Sequence, residues 1–283
     1  MELKKVAVFA NPGRMNVLSV YSSIRDFLSE RNIETELVSL VSGTADSLIG
    51  SPDCDLAISL GGDGTVLTCA WIMRGTNVPL LAVNMGHFGY ITDTGTDEIN
   101  YVLQDIIEGR EIIEDRMRVE VNVFRNGKLE FSDSALNEIT VSTLSHAKTA
   151  KLNLYINDVF AASLKADGVV FATPTGSTAY SLSTGGPILD ANINAIIISP
   201  ISPFTISARP LVVNKNSRIN VDLPPQNAEI EVISDGHGIH KVHPGDRIVI
   251  TRSDYVTRFV RNKARNSIEI LREKLGWAGG FNA

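Results

Sequence analysis

Through the first third of the chain, short apolar runs alternate with stretches in which apolar residues recur at three- and four-residue steps. That is the pattern of strands separated by helices in a parallel sheet. Residues 6–10, a run of Val, Ala and Phe, predict a first strand. Asn11-Pro12-Gly13 turns the chain, and Val17, Val20, Tyr21, Ile24, Phe27 and Leu28 then share one helical face. Residues 33–40 predict a second strand, 55–60 a third and 78–83 a fourth, with a helix starting at Val66 between the last two. Thr96 as N-cap, Asp97 and Glu98 in the first turn, and Ile99, Val102, Leu103, Ile106 and Ile107 before Gly109 predict a further helix.

From about residue 114 the period changes to two. Val119, Val121 and Val123 alternate with Glu120 and Asn122, and Asn126-Gly127 offers the positive-φ pair of a tight hairpin. Leu152, Leu154 and Ile156 alternate again before Asn157-Asp158, and strand-like runs follow at 219–223, 230–233, 247–251 and 257–260. Residues 267–275 return to a short helix. The expected fold class is α/β + β. A Rossmann-like N-terminal α/β domain with a parallel sheet spans 1–113, and a mainly antiparallel β-sandwich domain spans 114–262. A tail, 263–283, packs its short helix back on the first domain.

Composition narrows the function classes. With 283 residues, 43% of them hydrophobic, the chain can bury two cores of ordinary domain size. Its 26 basic against 32 acidic side chains give a net charge of −6, which argues against a whole-surface nucleic-acid binder. Anionic ligands stay open, because backbone N–H groups and a few placed cations can supply a local positive field. No apolar run approaches a bilayer span, and Cys54 and Cys69 match no zinc or redox spacing. A cytoplasmic protein with no membrane partner is expected, its two cysteines serving as small core residues.

Two segments carry candidate chemistry. Gly61-Gly62-Asp63-Gly64-Thr65 sits at the carboxyl end of a predicted parallel strand, where open α/β sheets place ligands. Its glycines allow a tight turn with exposed N–H groups and close approach of a phosphate chain. Asp63 puts a negative charge inside that loop, which a proton-accepting or metal-related task would justify; the alternative is a plain turn in which Asp63 caps the following helix. The second segment runs from Asp167-Gly168 through Thr173-Pro174-Thr175-Gly176-Ser177-Thr178-Ala179-Tyr180-Ser181-Leu182-Ser183 to Gly185-Gly186-Pro187. A buried strand there enters a turn and a hydroxyl-rich stretch with helix-start character, so hydroxyls, N–H groups and one aromatic ring converge. Tyr180 can lie on a flat base while Ser and Thr groups bond ring or ribose atoms, although hydroxyls near a helix start also satisfy local backbone.

Gly61 to Thr65, Asn137-Glu138 within Ala-Leu-Asn-Glu-Ile-Thr, and the 167–180 block occur in the order seen in the NAD kinase family, which the chain resembles over nearly its whole length, Leu275-Gly276-Trp277 included. The glycine loop alone is shared with diacylglycerol-kinase-like and phosphofructokinase-like enzymes; the later block is more particular. The resemblance implies transfer of the ATP γ-phosphoryl group to the 2′-hydroxyl of the adenosine ribose of NAD. It implies Asp63 as the base accepting the hydroxyl proton and Gly61, Gly62, Gly64 and Thr65 at the triphosphate, with Mg²⁺ or another divalent cation accompanying ATP. By the same resemblance Asp63 and Gly64 also border NAD, and Asn137 and Glu138 bind its hydroxyls and adenine side. Lys148, Lys165, Asp167, Thr178, Ala179, Tyr180, Ser181, Leu182, Ser183 and Ser202 complete the NAD set. Lys165 stands where relatives often carry Arg, which loses a bidentate fork. Asn84-Met85-Gly86-His87-Phe88-Gly89-Tyr90 resembles the family's second glycine segment, with Phe88 where Leu is usual. A homo-oligomer, tetramer or dimer, is implied, because in relatives a neighbouring subunit completes the NAD site.

Other patterns carry less. His237, His240 and His243 recur every three residues, a spacing that alternates faces on a strand, and with Gly236 and Gly238 the stretch predicts an exposed turn and no metal site. Ser145-His146-Ala147-Lys148 matches a Ser-x-x-Lys pattern without its companion motifs. No Gly-x-Gly-x-x-Gly or Walker A sequence is present. Two alternatives to an NAD kinase remain: a lipid or sugar kinase sharing only the glycine loop, recognised by lack of NAD turnover, and a silent NAD(P) sensor, recognised by binding without product.

Overall fold

A parallel strand covered on both faces has no polar side to show, so it reads as a continuous apolar run. Val6 to Ala10 and Leu56 to Leu60 behave this way, with every residue of both runs buried. In the computed structural model, which describes residues 2–40, 50–86, 89–144, 148–225 and 228–277, the first elements are β1 (Lys5–Ala10), α1 (Val17–Ser29), β2 (Glu34–Ser39), β3 (Leu56–Gly61), α2 (Asp63–Ile72), β4 (Leu80–Asn84), β5 (Thr94–Gly95) and α3 (Ile99–Ile107). They are followed by β6 (Ile112–Arg125), β7 (Lys128–Ala135), β8 (Glu138–Thr143), β9 (Ala150–Ile156), β10 (Val159–Ala166) and β11 (Gly168–Ala172). A 3₁₀ turn (Thr175–Thr178), α4 (Tyr180–Ser183), β12 (Ala195–Ile201), β13 (Leu211–Asn214), β14 (Ile219–Asp222), β15 (Ile230–Ser234), β16 (Gly238–Val242), β17 (Arg247–Arg261) and α5 (Ser267–Lys274) complete the order. Two compact units divide the chain, Met1–Asp115 with Thr257–Ala283, and Arg116–Val256.

In the first unit β2, β1, β3 and β4 form a parallel sheet in that order, and Phe259 and Val260 of β17 pair parallel to β4. Helices α1 and α3 bury Val17, Ile24 and Leu28, and Ile99, Val102, Leu103 and Ile106, in one core with β1, β3 and β4. That apolar stripe matches the predicted helical faces. The start of α3 differs from expectation: Glu98, not Thr96, is the N-cap, and its Oε2 accepts the Gly95 N–H at 2.7 Å. The longer Glu side chain reaches back over the turn, so Thr96 has no capping role. Cys54 and Cys69 are buried free thiols; burial raises both, Cys54 to about 11, which leaves no reactive thiolate at neutral pH.

The second unit is antiparallel. One sheet has the order β13-β12-β11-β8-β15-β16; in the other β10, β9, β14 and β17 are neighbours and β17 also pairs with the β6–β7 hairpin. Both sheets feed a single core that includes Val121, Leu152 and Ile250 from one and Val141, Phe171 and Val232 from the other. The hairpin turns fall where expected, with Asn126 and Gly127 at φ 51° and 77° and Asn157 and Asp158 at φ 50° and 64°. The runs 247–251 and 257–260 are two halves of one strand, β17. Strands β12 and β13 lie outside the predicted set: Ser199 and Pro200 interrupt the apolar run of β12, and β13 has only four residues. The histidine stretch is a correction, since residues 238–242 form β16 and His240 stacks on Phe131 at 4.7 Å between ring centroids. Aromatic packing outweighs the glycine signal there.

The chain's return to the first unit is fixed by one buried acid. Asp93 Oδ2 lies 3.3 Å from Arg261 Nε and accepts the Asn262 N–H at 3.2 Å. Glu114 lies 3.1 Å from the same Arg261 nitrogen. Removing one partner of a buried pair leaves an uncompensated charge, so Asp93→Ala is expected to destabilise the first unit by about 3 kcal/mol in urea unfolding. A change under about 0.5 kcal/mol, the range of ordinary surface substitutions, would show that the pair is not structural.

Candidate active site

Between β3, which ends at Gly61, and α2, which begins at Asp63, there is one residue, Gly62. Gly62 is extended, and its carbonyl accepts the N–H groups of Thr65 at 2.9 Å and Val66 at 3.2 Å. The helix therefore starts inside the glycine segment, three residues before the predicted Val66, because Gly62 takes the N-cap position. This places first-turn N–H groups at the carboxyl end of the sheet, a geometry suited to phosphate. A Cβ at Gly61 would fall on Thr65 Oγ1, and one at Gly89 on Asp63 Oδ1, so both glycines are dictated by contact.

The Asp63 carboxylate turns away from capping. Its Oδ2 accepts the Tyr90 N–H at 2.8 Å and its Oδ1 the Ile91 N–H at 3.2 Å. Two bonds fix its orientation and leave lone pairs for a substrate donor. Alongside, Asn84 pairs in register with Gly61, and its Oδ1 accepts the Gly86 N–H at 2.9 Å while its Nδ2 is buried with no partner. Gly64 is exposed and Thr65 half-buried. Of the 84–90 segment, His87 and Phe88 lie outside the described residues, as do Ser145, His146 and Ala147.

A separate polar cradle forms in the second unit. Strand β8 runs between β11 and β15, with Glu138 opposite Ala172 and Ile139 opposite Ser234. Antiparallel pairing thus brings the carboxyl ends of β11 and β15 to Asn137 and Glu138. Thr173 holds the carbonyls of this segment: its Oγ1 donates to Leu136 O at 2.6 Å and its N–H to Asn137 O at 2.8 Å. Asp235 holds the amides, accepting from Leu136, Asn137 and Glu138 at 2.5, 2.8 and 3.1 Å. Gly176 lies against the Asn137 backbone, where any Cβ would overlap it.

Three polar atoms of this cradle, Asn137 Oδ1, Glu138 Oε2 and Ser181 Oγ, are buried without a partner. Such atoms are rare in folded chains and point to a ligand that supplies the missing bonds. Burial and then the Asp235 charge push Glu138 up to about 7, partly opposed by the N–H donated from Tyr180. Ser177 and Thr178, by contrast, satisfy local backbone, with Ser177 Oγ donating to Pro174 O at 2.7 Å and Thr178 Oγ1 to Thr175 O at 3.3 Å.

Of the remaining expected residues, the 179–183 segment follows the 3₁₀ turn after β11, whereas Lys165, Asp167 and Ser202 lie at the other end of that strand, where Gly168 pairs with Ser142 and Ile201, and are not brought to Glu138. Tyr180 is 42% exposed, which leaves its ring free to be covered. Ala179 and Leu182 are half-buried and Ser183 is exposed. Asp167 is half-buried at the start of β11, its N–H donating to Ile201 O at 2.9 Å. Lys165 is exposed with its Nζ 4.8 Å from the Phe204 ring centroid, and Ser202 is exposed at φ 45°. Lys148 is exposed. Sequence reasoning missed Asp235, Thr173 and the buried Arg116, whose Nη1 donates to Thr175 Oγ1 at 3.3 Å. The Asp235-Gly236 pair was a visible turn signal, but its acceptors' partners lie nearly 100 residues earlier in the chain.

Two family models match the chain: the ATP-NAD kinase N-terminal domain over residues 50–112 and the ATP-NAD kinase C-terminal domain over residues 136–262. An NAD kinase of Shewanella halifaxensis is 37% identical over 280 residues, covering 96% of this chain and 91% of its own. Among solved structures, yeast NADH kinase complexed with NADH superposes with a TM-score of 0.86 at 25% identity, covering 100% of this chain and 90% of that one. An NAD kinase from Archaeoglobus fulgidus in complex with ATP gives 0.76 at 27%, covering 97% and 100%.

Glu138 makes the cradle's cost measurable. Its folded pKa of about 7 exceeds its ordinary 4.5, so between those values the folded chain binds the proton more tightly and stability falls as pH rises. Glu138→Gln is expected to be more stable than the parent by about 1–3 kcal/mol at pH 8 and little changed at pH 5, in urea unfolding at both. Equal stability of the two proteins at both pH values would mean that Glu138 is not desolvated.

Proposed function

The chain belongs to the ATP-NAD kinase family, and from that membership we propose that it transfers the γ-phosphoryl group of ATP to the 2′-hydroxyl of the adenosine ribose of NAD, giving NADP. The observation that carries the reading on this chain's own residues is the trio of buried, unpartnered atoms on Asn137, Glu138 and Ser181. A ribose diol donates to a paired acceptor such as Glu138, and an adenine ring can lie on Tyr180. Both family models match, including the one over residues 136–262, so an unrelated lipid or sugar kinase that shares only the glycine loop is set aside.

Chemistry follows from the loop. A ribose hydroxyl is a weak nucleophile, so Asp63 accepts its proton as the oxygen forms a bond to the γ-phosphorus and the bond to the β-γ bridging oxygen breaks, releasing ADP. The Tyr90 and Ile91 amides keep that carboxylate in place. Gly61, Gly62, Gly64 and Thr65 border the triphosphate where β3 passes into the first turn of α2. Among the described residues no group of three or more His, Cys, Asp or Glu side chains is placed to hold a metal ion. A divalent cation, Mg²⁺ or another, would accompany the phosphate oxygens of ATP and supply charge neutralisation there.

Lys148, Lys165, Asp167, Thr178 to Ser183 and Ser202 are proposed to border NAD, with Lys165 acting as a point charge. The exposed apolar side chains Phe204, Ile206, Leu211 and Val212 in the second unit support assembly with further copies of the chain, as a dimer or tetramer. No described helix is long and apolar enough to cross a membrane. The two free cysteines fit a reducing compartment, the cytoplasm.

The test is formation of NADP from NAD and ATP with Mg²⁺, followed by an NADP-specific assay. Asp63→Asn is expected to lower kcat about 10²- to 10⁴-fold, the range for general-base removal, with KM for ATP little changed. A variant that keeps kcat within about threefold, under 1 kcal/mol of barrier, removes Asp63 from the role of base. NAD binding by the parent without any product would make the chain a sensor.

A further inference from the structure

We propose that Asp235 is a positioning residue of the dinucleotide site: from the turn after β15 its carboxylate fixes the backbone of residues 136–138, so that Asn137 and Glu138 present their unpartnered oxygens to the ligand. The inference rests on the reading that this cradle binds NAD.

Convergence is the first argument. Three consecutive N–H groups, of Leu136, Asn137 and Glu138, donate to one carboxylate at 2.5, 2.8 and 3.1 Å, and the Asp235 N–H donates back to Glu138 O at 3.0 Å. Asp235 is 7% exposed, so water cannot replace these bonds without opening the turn. Thr173 already holds the carbonyls of Leu136 and Asn137 from the other side. The segment is thereby clamped on its amide edge by Asp235 and on its carbonyl edge by Thr173. Only the side chains of Asn137 and Glu138 are left to point elsewhere.

Backbone cost is the second. Asp235 adopts a left-handed φ of 48°, unfavourable for a residue with a Cβ, and Gly236 follows at 76°. Strain of this kind persists where surrounding bonds over-determine it. Charge is the third. Burial, and after it the Asp235 charge, raises Glu138; burial also raises Asp235, opposed by the buried Arg118 guanidinium, whose Nε donates to Ser134 Oγ at 3.0 Å. Asp235 thus fixes the backbone that carries Glu138 and adds to the burial that raises the pH at which Glu138 ionises.

Asp235→Asn tests this by retaining shape and one acceptor oxygen while removing the charge. KM and calorimetric Kd for NAD are expected to rise roughly tenfold to hundredfold, the equivalent of one or two lost charge-assisted hydrogen bonds. KM for ATP is expected to stay within about twofold of the parent value. The acidic limb of NAD binding, which Glu138→Gln abolishes, is expected to move to lower pH in Asp235→Asn, a shift that a purely structural defect would not produce. Unchanged NAD affinity with an unchanged limb overturns the proposal, and so does an equal rise of both KM values accompanied by a lowered Tm. Should Asp235→Asn not fold, Asp235→Glu keeps the charge and both oxygens one methylene further out; a selective rise in KM for NAD supports the assignment and parental KM overturns it. Failure of both variants to fold overturns it too, since the role is then architectural. A parent chain that neither binds nor phosphorylates NAD refutes the functional reading instead.

Discussion

A folded chain satisfies nearly all of its buried polar groups, because an orphaned donor or acceptor keeps the full cost of lost hydration. In the second unit Asn137 Oδ1, Glu138 Oε2 and Ser181 Oγ depart from this rule, buried without partners. The surrounding structure is arranged to keep them there. Register sets Glu138 beside the carboxyl ends of β11 and β15, Thr173 and Asp235 hold the intervening backbone, and Gly176 removes the one Cβ that would displace it. The sandwich supplies rigidity, and the site uses it to hold groups that would otherwise turn to solvent or to each other.

The first unit solves a different problem, the placing of a negative side chain among groups that attract phosphate. Starting α2 at Asp63 directs first-turn N–H groups at the loop while the Asp63 carboxylate is tied to the Tyr90 and Ile91 amides. Its charge is fixed at a defined point rather than free to swing across the anion-binding N–H groups. Gly89, at which any Cβ would meet Asp63, is as necessary to that arrangement as the loop glycines.

Much of this was legible from sequence, and the reasons differ by element. Helices α1 and α3 were readable because one face of each is buried, so their apolar residues carry the helical period. The hairpin at Asn126-Gly127 was readable because its positive φ values restrict residue choice locally. Strand β12 was not, since Ser199 and Pro200 interrupt the apolar run that marks a strand buried on both faces. The start of α2 was misplaced because glycine at an N-cap looks like loop. In the site, Asp63 and the 173–183 stretch announced themselves by composition. Asp235 did not, because its role is made by three backbone amides that strand pairing brings to it, and pairing of β8 with β15 is a property of the fold and not of either segment.

The most direct test of the account is a crystal structure of the chain with NAD bound. It predicts a ribose hydroxyl within hydrogen-bond distance of Glu138 Oε2, Asn137 Oδ1 engaged by the same ligand, and the 136–138 backbone unmoved against Asp235. NAD bound elsewhere, with Glu138 Oε2 and Asn137 Oδ1 still unpartnered, would contradict it.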